Sequence, residues 1–206
     1  MSSFPFSIPS LPASDINTII TIFNSLKINY QVEYDSEYFS GFRKFELFSN
    51  RKINTGFSIR VNNCFQIFDL AFIEVGYSYS YANKYTQPLI YEFQTWGVLT
   101  LKENSGHILI KPETLLDKIH ELINPIEIDF DEDKEFSKKF YTVTDDKPKA
   151  ETFLTNSVRN YIQNIRIKDF TVETINNNLI IGDSKKINFE SALEIVKFID
   201  SISKFH

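Results

Sequence analysis

Carboxylates at Asp129, Asp131 and Asp133 in DFDEDKEF have the spacing that opens a calcium-binding EF-hand loop. A loop of that kind starting at Asp129 needs glycine at its sixth position, where the chain turns sharply, and a bidentate glutamate at its twelfth. Lys134 and Phe140 stand there instead, a cation and an apolar ring, so the calcium reading is rejected. Paired carboxylates also serve glycoside chemistry, but acidic pairs are common and nothing in the sequence places these in a cleft. Asp131 or Asp133 reads instead as the cap of a short helical turn beginning near Glu135, with Phe136 and Phe140 four residues apart facing the core. On this reading Phe130, Phe136 and Phe140 fix the segment, and Asp131, Glu132 and Asp133 remain available to solvent or to a partner.

The other chemistry-bearing residue types are sparse. The three histidines are His107, after Ser105–Gly106 at an expected turn, His120 beside an apolar helical stripe, and His206 at the C-terminus. No HExxH, HxH or Cys/His spacing accompanies them, so no metal is expected. There is no GxSxG elbow, no GxGxxG and no GxxxxGK[ST]; IIGDSKK has the wrong spacing to cradle phosphate. Neither a catalytic residue nor a cofactor site is therefore expected. The single cysteine, Cys64, excludes an intrachain disulfide, and its place in VNNCFQIFDLAF suggests a buried structural thiol in a reducing compartment.

A second candidate surface is the alternation of Tyr77, Tyr79 and Tyr81 with serine in YSYSYANKY. On a strand these phenols share one face, suited to stacking against a sugar, a base or a partner protein, or simply to an edge hairpin whose hydroxyls reach water. A pocket lined by these tyrosines and Trp96 would support the alternative function, a small-molecule binder or hydrolase. Trp96 itself is expected to pack between sheet and helix.

These groups must be positioned by a chain of 206 residues, 42% hydrophobic and 15% aromatic, with 20 Phe and 10 Tyr. That length and composition suit a folded domain with a sizeable core. The net charge of −5, with no strong Lys/Arg cluster, argues against nucleic acid. The N-terminus has no basic n-region and is broken by Pro5, Pro9 and Pro12, and no run approaches a membrane span. A soluble, cytoplasmic protein is expected.

Ser14 and Asp15 are placed to open a helix carrying Ile16, Ile19, Ile20, Phe23 and Leu26 on one face. From about Tyr30 to Ile110 short aromatic and β-branched segments alternate with turns, as in Phe45–Leu47, Phe57–Ile59–Val61, Phe65–Ile67 and IYEFQTWGV, with Asn62–Asn63 as a two-residue turn. Lys111–Pro112–Glu113 is expected to start a helix ending at Asn124–Pro125. A strand KFYTVT, a helix capped by Thr155, a hairpin across Asn176–Asn177–Asn178 and a last helix from Asn188 follow. The fold class is α+β, an antiparallel meandering sheet in the N-terminal part followed by a helix-rich α+β C-terminal part. It is read as a single domain over 1–206, with a subdivision at 1–124 and 125–206 as the alternative.

The order FELF from Phe45, FQIFDLAF from Phe65, YEFQTWGVL from Tyr91, ILIKPETLLDKI from Ile108, IDFDEDKEFSKKFYTVTDD from Ile128 and ETFLTNSVRNYI from Glu151 resembles a family of uncharacterised bacterial proteins, a domain of unknown function. The similarity covers about residues 45–203. Leu70 stands where that family has an aromatic, and Asn156 where it has a helix-opening proline. The resemblance implies a shared fold and carries no activity or site residue. What remains is a non-enzymatic protein-interaction domain that binds another protein, one with a basic surface suiting the acidic segment; an immunity-type inhibitor of a basic toxin is one form of it.

Overall fold

A computed structural model describes residues 4–38, 40–77, 90–113 and 126–205, with the side chain of Tyr77 outside that set. The described strands are β1 (Gln31–Asp35), β2 (Lys52–Asn62), β3 (Ile67–Tyr77), β4 (Ile90–Thr100), β5 (His107–Pro112), β6 (Ile126–Glu127), β7 (Phe140–Thr144), β8 (Phe170–Ile175) and β9 (Asn178–Asp183). They form one sheet in the order β1-β2-β3-β4-β9-β8-β5-β7-β6, with antiparallel pairing throughout. The late hairpin β8–β9 is thus inserted between β4 and β5, so strands from either side of residue 125 alternate in the same sheet. The mixed α+β class is as expected.

One face of the sheet is covered by α1 (Ala13–Leu26) and α6 (Phe189–Ile202). Their spacing explains why they dock: Ile19, Ile22, Phe23 and Leu26 line one side of α1, and Ala192, Ile195, Val196, Ile199 and Ile202 one side of α6, all buried. Gly97 in β4 admits α6 to the sheet. A Cβ there would lie 2.2 Å from Ile199 Cδ1 and 2.5 Å from Ile195 Cγ2. Asn188 caps α6 by accepting from the Ser191 N–H, as its sequence position suggests. Ser14 does not cap α1; Pro12 holds the N-cap position, and the Ser14 hydroxyl donates to Asp15.

The opposite face is covered by a 3₁₀ turn (Ser40–Lys44) and α2 (Glu46–Ser49). This corrects the strand reading of KFELFSN. Phe42, Phe45 and Phe48 recur every three residues, a helical period, and all three are buried against Ala71, Ile73, Val75, Trp96, Val98 and Ile180. Trp96 lies edge-on to Phe48 with ring centroids 5.0 Å apart, and its indole N–H donates to Gln94 Oε1. The central strands are therefore apolar on both faces, which is why β3 and β4 read as near-continuous hydrophobic runs.

Three further expectations shift. The β2–β3 connection is a four-residue loop, Asn63–Gln66, closed by the Asn62–Ile67 pair, in place of the two-residue turn Asn62–Asn63, with Asn63 Oδ1 accepting from the N–H groups of Phe65 and Gln66. Cys64 is consequently exposed in that turn, not buried. Pro112 closes β5 instead of opening a helix, and residues 114–125, where that helix was expected, lie outside the described residues. The Asn176 hairpin is confirmed: Ile175 pairs with Asn178, and Asn176 has a positive φ of 54° that asparagine tolerates.

Tyr34 of β1 stacks on Phe23 at 4.1 Å, yet its buried hydroxyl has no hydrogen-bond partner among the described residues. Burial pushes its pKa from 10.0 up to about 12. The neutral phenol is the form the fold favours, so the stability it contributes is complete below pH 10.0 and is lost as pH rises through about 12. Tyr34→Phe should stabilise the protein by about 1 kcal/mol at neutral pH, by removing an unsatisfied polar group, and should reduce alkaline destabilisation. Urea titrations at neutral and alkaline pH check both; loss of stability at neutral pH would contradict the geometry.

Candidate functional site

Three residues remote in sequence meet at the border of the α2 layer. Strand β8 turns Phe170 and Val172 toward α6 and therefore Glu173 and Ile175 to the opposite face. His107 pairs with Ile175 across β5 and β8, while Glu173 pairs with Leu109, so His107 and Glu173 are diagonal neighbours. Gly106, at a φ of 74°, makes the turn that brings His107 to the start of β5. The imidazole Nε2 lies 2.8 Å from Glu173 Oε1. Glu46 and Leu47, at the start of α2, donate their backbone N–H groups to Glu173 Oε1 and Oε2 at 2.7 and 3.4 Å. Glu173 is 0% exposed, and these charge-assisted bonds are what allow a carboxylate there.

Burial alone would pull the His107 pKa down. The hydrogen bond and charge of Glu173, with the charges of Asp145 and Glu46, outweigh it and hold the pKa above the ordinary 6.5. In addition to latching α2 to the sheet, the trio presents one imidazole nitrogen and two carboxylates whose ligand atoms lie within 4.8 Å of one another. No sequence spacing could have shown it, because Glu46 and Glu173 are 127 positions apart. The one available signal was a glutamate in an otherwise inward-reading strand, FTVETI.

The acidic stretch is structurally engaged. Asp133 caps α3 (Lys134–Lys139), its Oδ1 accepting from the Phe136 N–H at 3.1 Å, and Phe136 and Phe140 are buried with ring centroids 5.0 Å apart. Its other oxygen, Oδ2, accepts from Nε of Arg159 at 3.1 Å. Arg159 lies in α5 (Asn156–Gln163), is 3% exposed, reaches Glu132 at 3.1 Å, and stacks on Phe130 at 4.2 Å. The aromatic rings therefore do not fix this segment alone; carboxylates that read as free hold a buried guanidinium. Asp131 is exposed.

Of the tyrosine ladder, Tyr79, Tyr81 and the side chain of Tyr77 lie outside the described residues, as do His120 and His206. Trp96 is 0% exposed beneath α2. Open concavities among the described residues lie elsewhere, two of them beside β1. Two hollows of about 520 and 160 Å3 share Gln31 and Asn62 and adjoin β1; Tyr30, Cys64, Phe65 and Lys204 line the larger, and Val32, Glu33 and Ile67 the smaller. Phe65 and Ile67 are 55% and 53% exposed. Among the described residues no helix is long and apolar enough to cross a membrane. No family model, curated protein or solved structure matches the chain.

Proposed function

We propose that the chain is a non-enzymatic, cytoplasmic bacterial protein-interaction domain that receives an extended, basic segment of another protein along β1. The observation that carries this reading is the coincidence of an edge strand with exposed apolar groups. β1 ends the sheet, and among the described residues no strand pairs with its outer edge. The adjoining hollows expose Phe65 in the β2–β3 turn and Ile67 on β3, two strands in from the edge, apolar seats for the residues that flank the strand a partner adds to β1. Charge supports a basic partner: Glu33, Asp35, Asp69 and Asp200 lie along this region against Arg60 and Lys204. Complementary charge of this kind raises association rate and specificity.

Glu33→Lys combined with Ile67→Lys reverses charge at the edge and removes an apolar contact at exposed positions. Affinity capture from native cells should yield a basic protein with the wild-type chain and lose it with the double variant, while the melting temperature stays near wild type. Equal retention by both chains, or no retained protein at all, would sink the reading.

A further inference from the structure

We propose that Glu46, His107 and Glu173 form a binding site for one divalent transition-metal ion of the zinc class. Their ligand atoms already lie within 4.8 Å of one another, on three elements that the sheet and α2 hold in place. Around zinc, with bonds of about 2.0–2.2 Å, ligand atoms of a tetrahedral site stand roughly 3.4 Å apart. His107 Nε2 and Glu173 Oε1, at 2.8 Å, need to separate only slightly to admit the ion, and the Glu46 side chain completes the set from the first turn of α2.

The charge count favours an ion of this valence. A singly protonated imidazole leaves the two carboxylates with an excess negative charge, and Asp145, whose Oδ1 accepts the His107 backbone N–H at 3.0 Å, adds to it. A divalent cation with a neutral imidazole and two carboxylates balances the three side chains. The imidazole selects a borderline metal over calcium or magnesium. The backbone N–H groups of Glu46 and Leu47 already orient the Glu173 carboxylate, the part that outer-shell partners play around bound metals. Three protein ligands leave one coordination position for water, and the His107 side chain, 21% exposed, gives it a route to solvent.

Zinc chloride titrated into the metal-free full chain should bind at one ion per chain, raise the melting temperature, and be reversed by a chelator. X-ray absorption should show nitrogen and oxygen ligands only. Glu46→Gln keeps the backbone N–H that holds Glu173, so its fold is retained, and it should weaken zinc at least ~10-fold. His107→Gln should do the same, and Cys64→Ser should change nothing. Absence of stoichiometric binding, sulfur in the absorption spectrum, dependence on Cys64, or wild-type affinity in Glu46→Gln would each overturn the site.

Discussion

Replacing Arg159 by methionine is expected to lower the unfolding free energy by about 3–5 kcal/mol, read as a fall in the urea midpoint with little change in slope. Methionine fills much of the same volume, so the cost comes from lost polar partners and not from a cavity. Arg159 donates to Asp133 Oδ2, to the Leu154 carbonyl at 2.8 Å and to Asn156 Oδ1. Without the guanidinium, the half-buried Asp133 carboxylate loses its counter-charge and the Leu154 carbonyl its donor. Glu132, 62% exposed, contributes little to the difference, since solvent screens it. Asp133→Asn separates two roles of one side chain. Asparagine still caps α3, because its oxygen can accept from the Phe136 N–H, but the charge facing Arg159 is gone. Combining Asp133→Asn with Arg159→Met should recover part of the loss, because neither partner is then left charged and alone. Strict additivity, or a cost under about 1 kcal/mol for Arg159→Met, would show that the clamp does not hold this end of the fold.

That clamp marks how far the sequence can be read. The cap at Asp133 and the Phe136–Phe140 pair were legible because their partners lie within a few residues, where spacing determines contact. Thr155, Asn176 and Asn188 were legible for the same reason. Arg159 was not: its partner is 26 positions away, and a charged residue on a helix reads as solvated until the tertiary fold buries it. Phe42, Phe45 and Phe48 failed differently. Their period of three was present, but in a region otherwise rich in two-residue alternation the pattern Phe45–Leu47 competed with it. Cys64 was misplaced because the loop runs over four residues, Asn63–Gln66, where a two-residue turn was expected, which moves it from strand to exposed loop. The Glu46–His107–Glu173 trio depends on the insertion of β8 and β9 between β4 and β5, a choice of neighbours that no local pattern encodes.

Glu173→Gln is expected to cost about 2–3 kcal/mol in the metal-free protein and to reverse the pH dependence contributed by His107. The glutamine oxygen can accept from the Glu46 N–H, but its amide nitrogen then faces the Leu47 N–H, donor against donor, and the imidazole loses its charged partner. In the wild-type chain the folded pKa of His107 stands above 6.5, so the stability it contributes is complete below that unfolded value and is lost as pH rises through the folded one. In Glu173→Gln the strongest of the groups that raised the pKa is gone, and burial, the largest single influence and one that lowers it, is opposed only by the charges of Asp145 and Glu46. The folded pKa then falls below the unfolded one, and the same histidine destabilises the fold at low pH. Two readouts follow from one substitution: the His107 titration observed by NMR moves from above 6.5 to below it, and the stability difference from wild type widens on acidification. A general loss of packing would lower stability at every pH without moving the His107 titration in this direction. A His107 pKa unchanged in Glu173→Gln would mean that the imidazole takes its charge from Asp145 and Glu46, and that the latch between α2 and the sheet rests on the two backbone N–H groups alone.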